Sequence, residues 1–144
     1  MSVTRLRVRA LRFMPEFIVY VLRSLRQVRR SSGFLGGALM RDDGKAFWTV
    51  TVWTDAKAME DYRIAGIHRA AMPKLLNWCD EASVVHWTPD SADVPSWPQA
   101  CGRMVAEGRA SKVNNPSPAH LAFRIPGPKP GRFTIRLRPV QRSA

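Results

Sequence analysis

The amino-acid sequence predicts one α+β domain with the element order β-α-β-β-α-β. Two observations carry that prediction. Residues 3–12 alternate in character and residues 46–53 are rich in β-branched and aromatic side chains, both strand patterns. Between and after them, apolar residues recur at helical spacing. A length of 144 residues suits about one domain. A hydrophobic share of 45% with 24% charged residues is ordinary globular composition, which excludes wholesale disorder, collagen and coiled coil. No run approaches about 18 uninterrupted apolar residues, so a membrane-spanning helix is not expected.

Each element has its own signal. In residues 3–12, Val3, Arg5, Arg7 and Arg9 share one face, and Thr4, Leu6, Val8 and Ala10 the other, which predicts a half-exposed first strand. Met14–Arg30 reads as a helix, with Pro15 in its first turn, where a missing N–H costs nothing. Its core face is Phe17, Val21, Leu25 and Val28; Arg23, Arg26 and Arg30 lie on another, and Ser31-Ser32-Gly33 stops it. Phe34–Met40 and Ala46–Trp53 predict a hairpin around the turn Arg41-Asp42-Asp43-Gly44-Lys45. The Gly36-Gly37 pair in the first of these strands predicts a bulge or room for a ligand.

Asp55 is a predicted N-cap for a helix from Ala56, broken at Gly66. The next segment carries His68, Met72, Leu75, Leu76 and Cys79 on one face, with a bend expected near Ala70–Met72 because of Pro73. Glu81–Thr88 is the fourth strand, ended by Pro89. This order is the ferredoxin-like split βαβ arrangement, with both helices on one face of the sheet. The third strand is apolar on both sides: Phe47 and Trp53 on one, Trp48, Val50 and Val52 on the other. A two-sided sheet needs a second layer, and a homodimer packed sheet to sheet supplies it.

Residues 1–98 are thus expected as the domain, and 99–144 as a helix (Gln99–Ala110) followed by an irregular, Pro-rich basic arm. Phe133–Leu137 alternates with Thr134 and Arg136, a pattern that can add an edge strand to that arm. The net charge of +12 divides unevenly: +7 over residues 1–30, −3 over 31–102 and +8 over 103–144. Basicity therefore sits at the ends, in Arg5, Arg7, Arg9 and in Arg132, Arg136, Arg138, and predicts weak, salt-sensitive polyanion binding without sequence preference. Cys79 and Cys101 have no metal-ligand spacing and read as free thiols. The early arginines and the run from Phe13 to Leu22 superficially resemble a secretion signal. Pro15 and Glu16 interrupt that run, no small-residue cleavage site follows, and a cytoplasmic protein is expected.

Phosphate loop, nucleophile elbow, Ser-His-Asp order and HExxH are all absent, which removes the standard kinase and hydrolase readings. His68 is the leading candidate for catalysis. It follows the break at Gly66 and shares a face with Met72 and Leu75, where a neutral imidazole can bind haem iron, move a proton, or simply pack and bond a backbone group. His86 shares a strand face with Ala82 and Val84, and Trp53 and Trp87 end their strands where they can close a pocket. Tyr62 and Arg63 stand just before the break, and Arg63 can meet an anionic group or stay solvated. The candidate substrate-binding set is therefore Trp53, Tyr62, Arg63, Met72, His86 and Trp87.

The run from Phe47 to Trp87 carries a resemblance as well. Its strand-ending Trp53, Ala-Met helix, Gly66-x-His68, Met72-Pro73 and Trp78, with the later Pro95-Ser96-Trp97, resemble a bacterial family of the dimeric α/β-barrel superfamily. That superfamily includes cofactor-free antibiotic-biosynthesis monooxygenases and haem-using members such as spheroidene monooxygenases. The resemblance covers residues 3–98 and implies a dimeric barrel, an apolar or aromatic small-molecule substrate, and oxygen chemistry with haem or with no cofactor. His68 would be the haem ligand if haem is bound. The other class left open is a non-catalytic module whose basic ends dock an acidic partner.

Overall fold

The computed structural model describes residues 1–42 and 45–140. The chain runs β1 (Ser2–Val8), a 3-10 turn (Leu11–Phe13), α1 (Met14–Val28), β2 (Phe34–Asp42), β3 (Ala46–Trp53), α2 (Ala56–Arg63), α3 (Gly66–Trp78), β4 (Cys79–His86), α4 (Trp97–Glu107), β5 (Arg109–Ala110), α5 (Pro118–Leu121) and β6 (Pro130–Leu137). One antiparallel sheet holds all six strands in the order β5-β4-β1-β3-β2-β6. Its central four strands have the ferredoxin-like order. Among the described residues, no helix is long and apolar enough to cross a membrane.

Local chemistry accounts for the boundaries. Asp55 caps α2 by accepting the Ala58 N–H at 2.8 Å. Gly33 and Gly66, at φ of +76° and +52°, lead into β2 and open α3 in the left-handed region that favours glycine. The bulge expected from Gly36-Gly37 is present as a register shift between Phe34 and Gly36. A side chain at Gly37 would run into the Val50 carbonyl. The first strand stops at Val8 rather than continuing to Arg12: its pairing with β4 shifts register after Arg7, and the Arg9 N–H leaves the sheet for the Trp78 carbonyl. Cys79 opens β4 instead of closing the helix face. The α3 helix continues through Pro73. The expected Asp43-Gly44 turn lies outside the described residues.

Strand alternation sets two faces. Leu6, Phe47 and Ala82 face α1 and α3, where Phe17 and Trp78 complete an aromatic cluster. On the opposite face, Val3, Met40, Trp48, Val50 and Val85 pack against Ala100, Cys101 and Met104 of α4. The α4 helix is well specified, since Ser96 and Gln99 form a capping box at its start. The apolar face that motivated a sheet-to-sheet homodimer is thus covered within the chain. The segment expected as a helix and irregular arm supplies both edge strands: β6, the edge strand expected at Phe133–Leu137, and β5.

The same cover corrects the reading of the basic first strand. Arg5 is 3% exposed and paired with Glu81, and Arg7 pairs with Asp80 and Glu81. The register places Arg7 opposite Glu81 on the covered face, and Ser117 of the C-terminal segment donates to Glu81 as well. These cations are matched by carboxylates and are not a free basic face. The Arg132 side chain lies outside the described ones.

Candidate active site

A cavity of about 410 Å³ lies between the sheet and the helices α1, α2 and α3. Its origin is legible in the strands. Where tight packing would put Val, Leu or Ile, this sheet face carries Ser2, Thr4, Thr49 and Thr51. Ser2 lies opposite Thr51 on one side and His86 on the other, and Thr4 lies between Thr49 and Val84. Short hydroxyl side chains in two adjacent rows leave the space unfilled. The walls are apolar and aromatic: Phe17, Tyr20, Leu25, Leu75 and Trp78 among them.

Trp53, Tyr62, Arg63, His68, Met72 and His86 all line this cavity. Trp87 does not. One residue after His86 on the strand, it turns to the opposite face and packs on the α4 cluster, where Arg103 lies over its ring. Trp53, Tyr62 and His68 pack in series with tilted rings, the centroids 5.2 Å apart for the first pair and 4.7 Å for the second. Met72 is only partly sheltered, at 44% exposed, and sits at the rim. Neither cysteine lines the cavity. Burial pushes the Cys79 thiol up to about 12, which keeps it unreactive.

His68 is held on two sides. Its backbone N–H donates to Gln27 Oε1 at 3.2 Å, and its ring Nδ1 lies 3.1 Å from the Arg63 carbonyl. A carbonyl only accepts, so Nδ1 carries the proton and Nε2 keeps its lone pair. Burial, with help from the Arg63 cation, lowers the His68 pKa, so the ring is neutral near pH 7. Gln27 Nε2 donates to the Ala65 carbonyl at 3.0 Å and more weakly to that of Tyr62, so one α1 side chain clasps the end of α2 and the start of α3. His86 is also held below its usual pKa, by burial first and then by Arg109 and Arg63. Burial raises the Tyr62 pKa, so its hydroxyl stays protonated. Trp53 Nε1 is buried with no acceptor among the described residues.

A family model described as antibiotic biosynthesis monooxygenase matches residues 3–74. The chain belongs to the antibiotic biosynthesis monooxygenase family. The match spans β1 to the middle of α3 and so includes His68, while His86 and the whole C-terminal segment lie beyond it. Among solved structures, the chain is similar to a mutant of MhuD with two manganese protoporphyrin IX bound per active site. That likeness has 24% identity, a TM-score of 0.47, and covers 66% of this chain and 97% of the other. No curated protein matches the chain.

Several site residues had little or no sequence signal. The threonines of β3 alternate onto the helix face, which is the pattern to look for when a sheet floors a cavity. Gln27 stands in an amphipathic helix and looks like any partly exposed glutamine. Arg109 and Lys112 reach the cavity only because β5 folds back along β4.

Proposed function

We propose that this protein is a monooxygenase-like enzyme that oxidises an apolar or aromatic small molecule in the cavity between sheet and helices, with His68 as its proton-transfer residue. The observation that carries this reading is the His68 ring: Nδ1–H tied to the Arg63 carbonyl, Nε2 without a partner among the described residues, on an aromatic wall of a cavity of about 410 Å³. A base of that kind takes a proton from an acidic C–H next to an electron-rich ring. The resulting carbanion reduces O₂ and forms a C–O bond. The hydroperoxide regains the proton, then loses water to leave a carbonyl. One O atom enters the product and the other leaves as water, with all electrons supplied by the substrate. The protonated Tyr62 hydroxyl on the cavity wall is a donor available to the oxygen as negative charge develops there.

Haem is the cofactor the resemblance leaves open. The donor chemistry of the site fits it, since a neutral imidazole oriented by a carbonyl is a standard iron ligand. His68 would then hold the iron through Nε2, and haem would supply the binding and reduction of O₂. The alternative of basic ends docking an acidic partner loses support from the pairing of Arg5 and Arg7 with carboxylates.

The test is oxygen uptake with a hydroxylated anthrone, whose ring CH₂ is acidic and electron-rich, by protein whose visible spectrum has been recorded as purified. The expected result is uptake that His68→Ala abolishes in a folded protein, with a Soret band present only if haem is carried. A folded His68→Ala variant with full uptake overturns the assignment.

A further inference from the structure

The cavity has a charged end as well as an apolar body. No Asp or Glu lines it, whereas Arg63, Arg109 and Lys112 do. Arg63 is partly neutralised, because its Nη2 reaches both carboxylate oxygens of Glu60. Arg109 and Lys112 have no acidic partner among the described residues. Both come from the chain that follows α4. It crosses the edge of β4, where Arg109 pairs with Val84 and Ser111 N–H donates to the Ala82 carbonyl at 2.8 Å. Val84 lines the cavity, and cross-strand partners project to the same face, so the register itself aims Arg109 at the cavity. A cleft with cations of one sign and low-dielectric walls concentrates anions.

We propose that the 109–112 segment is a specificity element, and that the cavity takes molecules with an aromatic body and an acidic group, a carboxylate or sulfonate, seated at Arg109 and Lys112. This rests on the reading of the cavity as the substrate site and adds the substrate's charge. The aromatic walls near Trp53 and Tyr62 would hold the flat body, and the acidic end would point toward the β4 edge. Arg109 is suited to a carboxylate by its planar fork, and Lys112 adds a point charge.

The experiment uses a pair of fluorescent probes that differ by one anionic group: anilinonaphthalene sulfonate and neutral phenylnaphthylamine. Titrations are run on the full chain, on Arg109→Ala/Lys112→Ala, on Lys112→Glu and on the floor variant Thr49→Leu. The sulfonate is expected to bind the wild type at least about fivefold more tightly than the neutral probe. The double variant is expected to erase that preference without weakening the neutral probe, Lys112→Glu to reduce it, and Thr49→Leu to weaken both probes. A preference absent from the wild type, or retained in the double variant, overturns the proposal and leaves the cavity as substrate site intact. Failure of both probes to bind, or their indifference to Thr49→Leu, overturns the cavity reading and this proposal with it.

Discussion

Gln27 Oε1 accepts the backbone N–H of His68 across 3.2 Å, joining residues 41 apart in the chain. The candidate base is thus positioned by the first helix as well as by its own. Gln27→Ala removes that acceptor and the donor to the Ala65 carbonyl. The expected loss is about 1–2 kcal/mol of stability in urea denaturation. Oxygen uptake is expected to fall with it, and hydrogen exchange at residues 65–69 to quicken. Unchanged exchange there would mean that the clasp positions nothing.

The pH dependence of stability follows from His68. Its folded pKa lies below the unfolded value of 6.5, so the unfolded chain binds the proton more readily. Stability attached to the neutral ring is present above pH 6.5 and is lost as the pH falls through 6.5 toward the folded pKa. His86 acts in the same direction. Urea midpoints of the wild type are expected to fall from pH 7.5 to pH 5.5, and His68→Gln to flatten that slope. An identical slope in the variant would remove His68 as a source.

The hydroxyl floor makes a separate prediction. Thr49→Leu puts an apolar side chain into the cavity between Thr4 and Leu39. Affinity for an aromatic ligand is expected to drop by about tenfold or more. The melting temperature is expected to hold or rise, because an added apolar group fills vacant space. A destabilised variant with unchanged affinity would place the ligand elsewhere.

The second layer can be tested without touching the site. Met104 is fully buried between α4 and the sheet. Met104→Ala is expected to lower stability by about 2–5 kcal/mol. A change below about 0.5 kcal/mol, the range of ordinary surface substitutions, would mean that α4 is not docked as described.

The fold was readable because its signals are local. Strand alternation, the Asp55 cap and the Gly66 break all act within a few residues, and β3 ends where its pattern ends. The burial of Arg5 was not readable, since it depends on Glu81 and on cover from residues far along the chain. At the site, alternation put His86 on the face of Ala82 and Val84, and the same rule sends Trp87 to the other side. Proximity to a strand end was a poorer guide for Trp87 than parity. The clasp by Gln27 and the basic rim are long-range pairings that no periodicity reports.

The two-residue strand β5 joins the two halves of the molecule. On its N-terminal side hangs α4, the lid of one sheet face; on its C-terminal side begins the basic rim of the cavity on the other. A pull that unseats α4 therefore tugs on the rim of the cavity as well. If an acid is seated at the rim as proposed, it is expected to resist that pull and to hold α4 from across the sheet. Shelter of an apolar surface and the shape of the cavity rim thus depend on one short strand, and the two are expected to be lost in a single melting step.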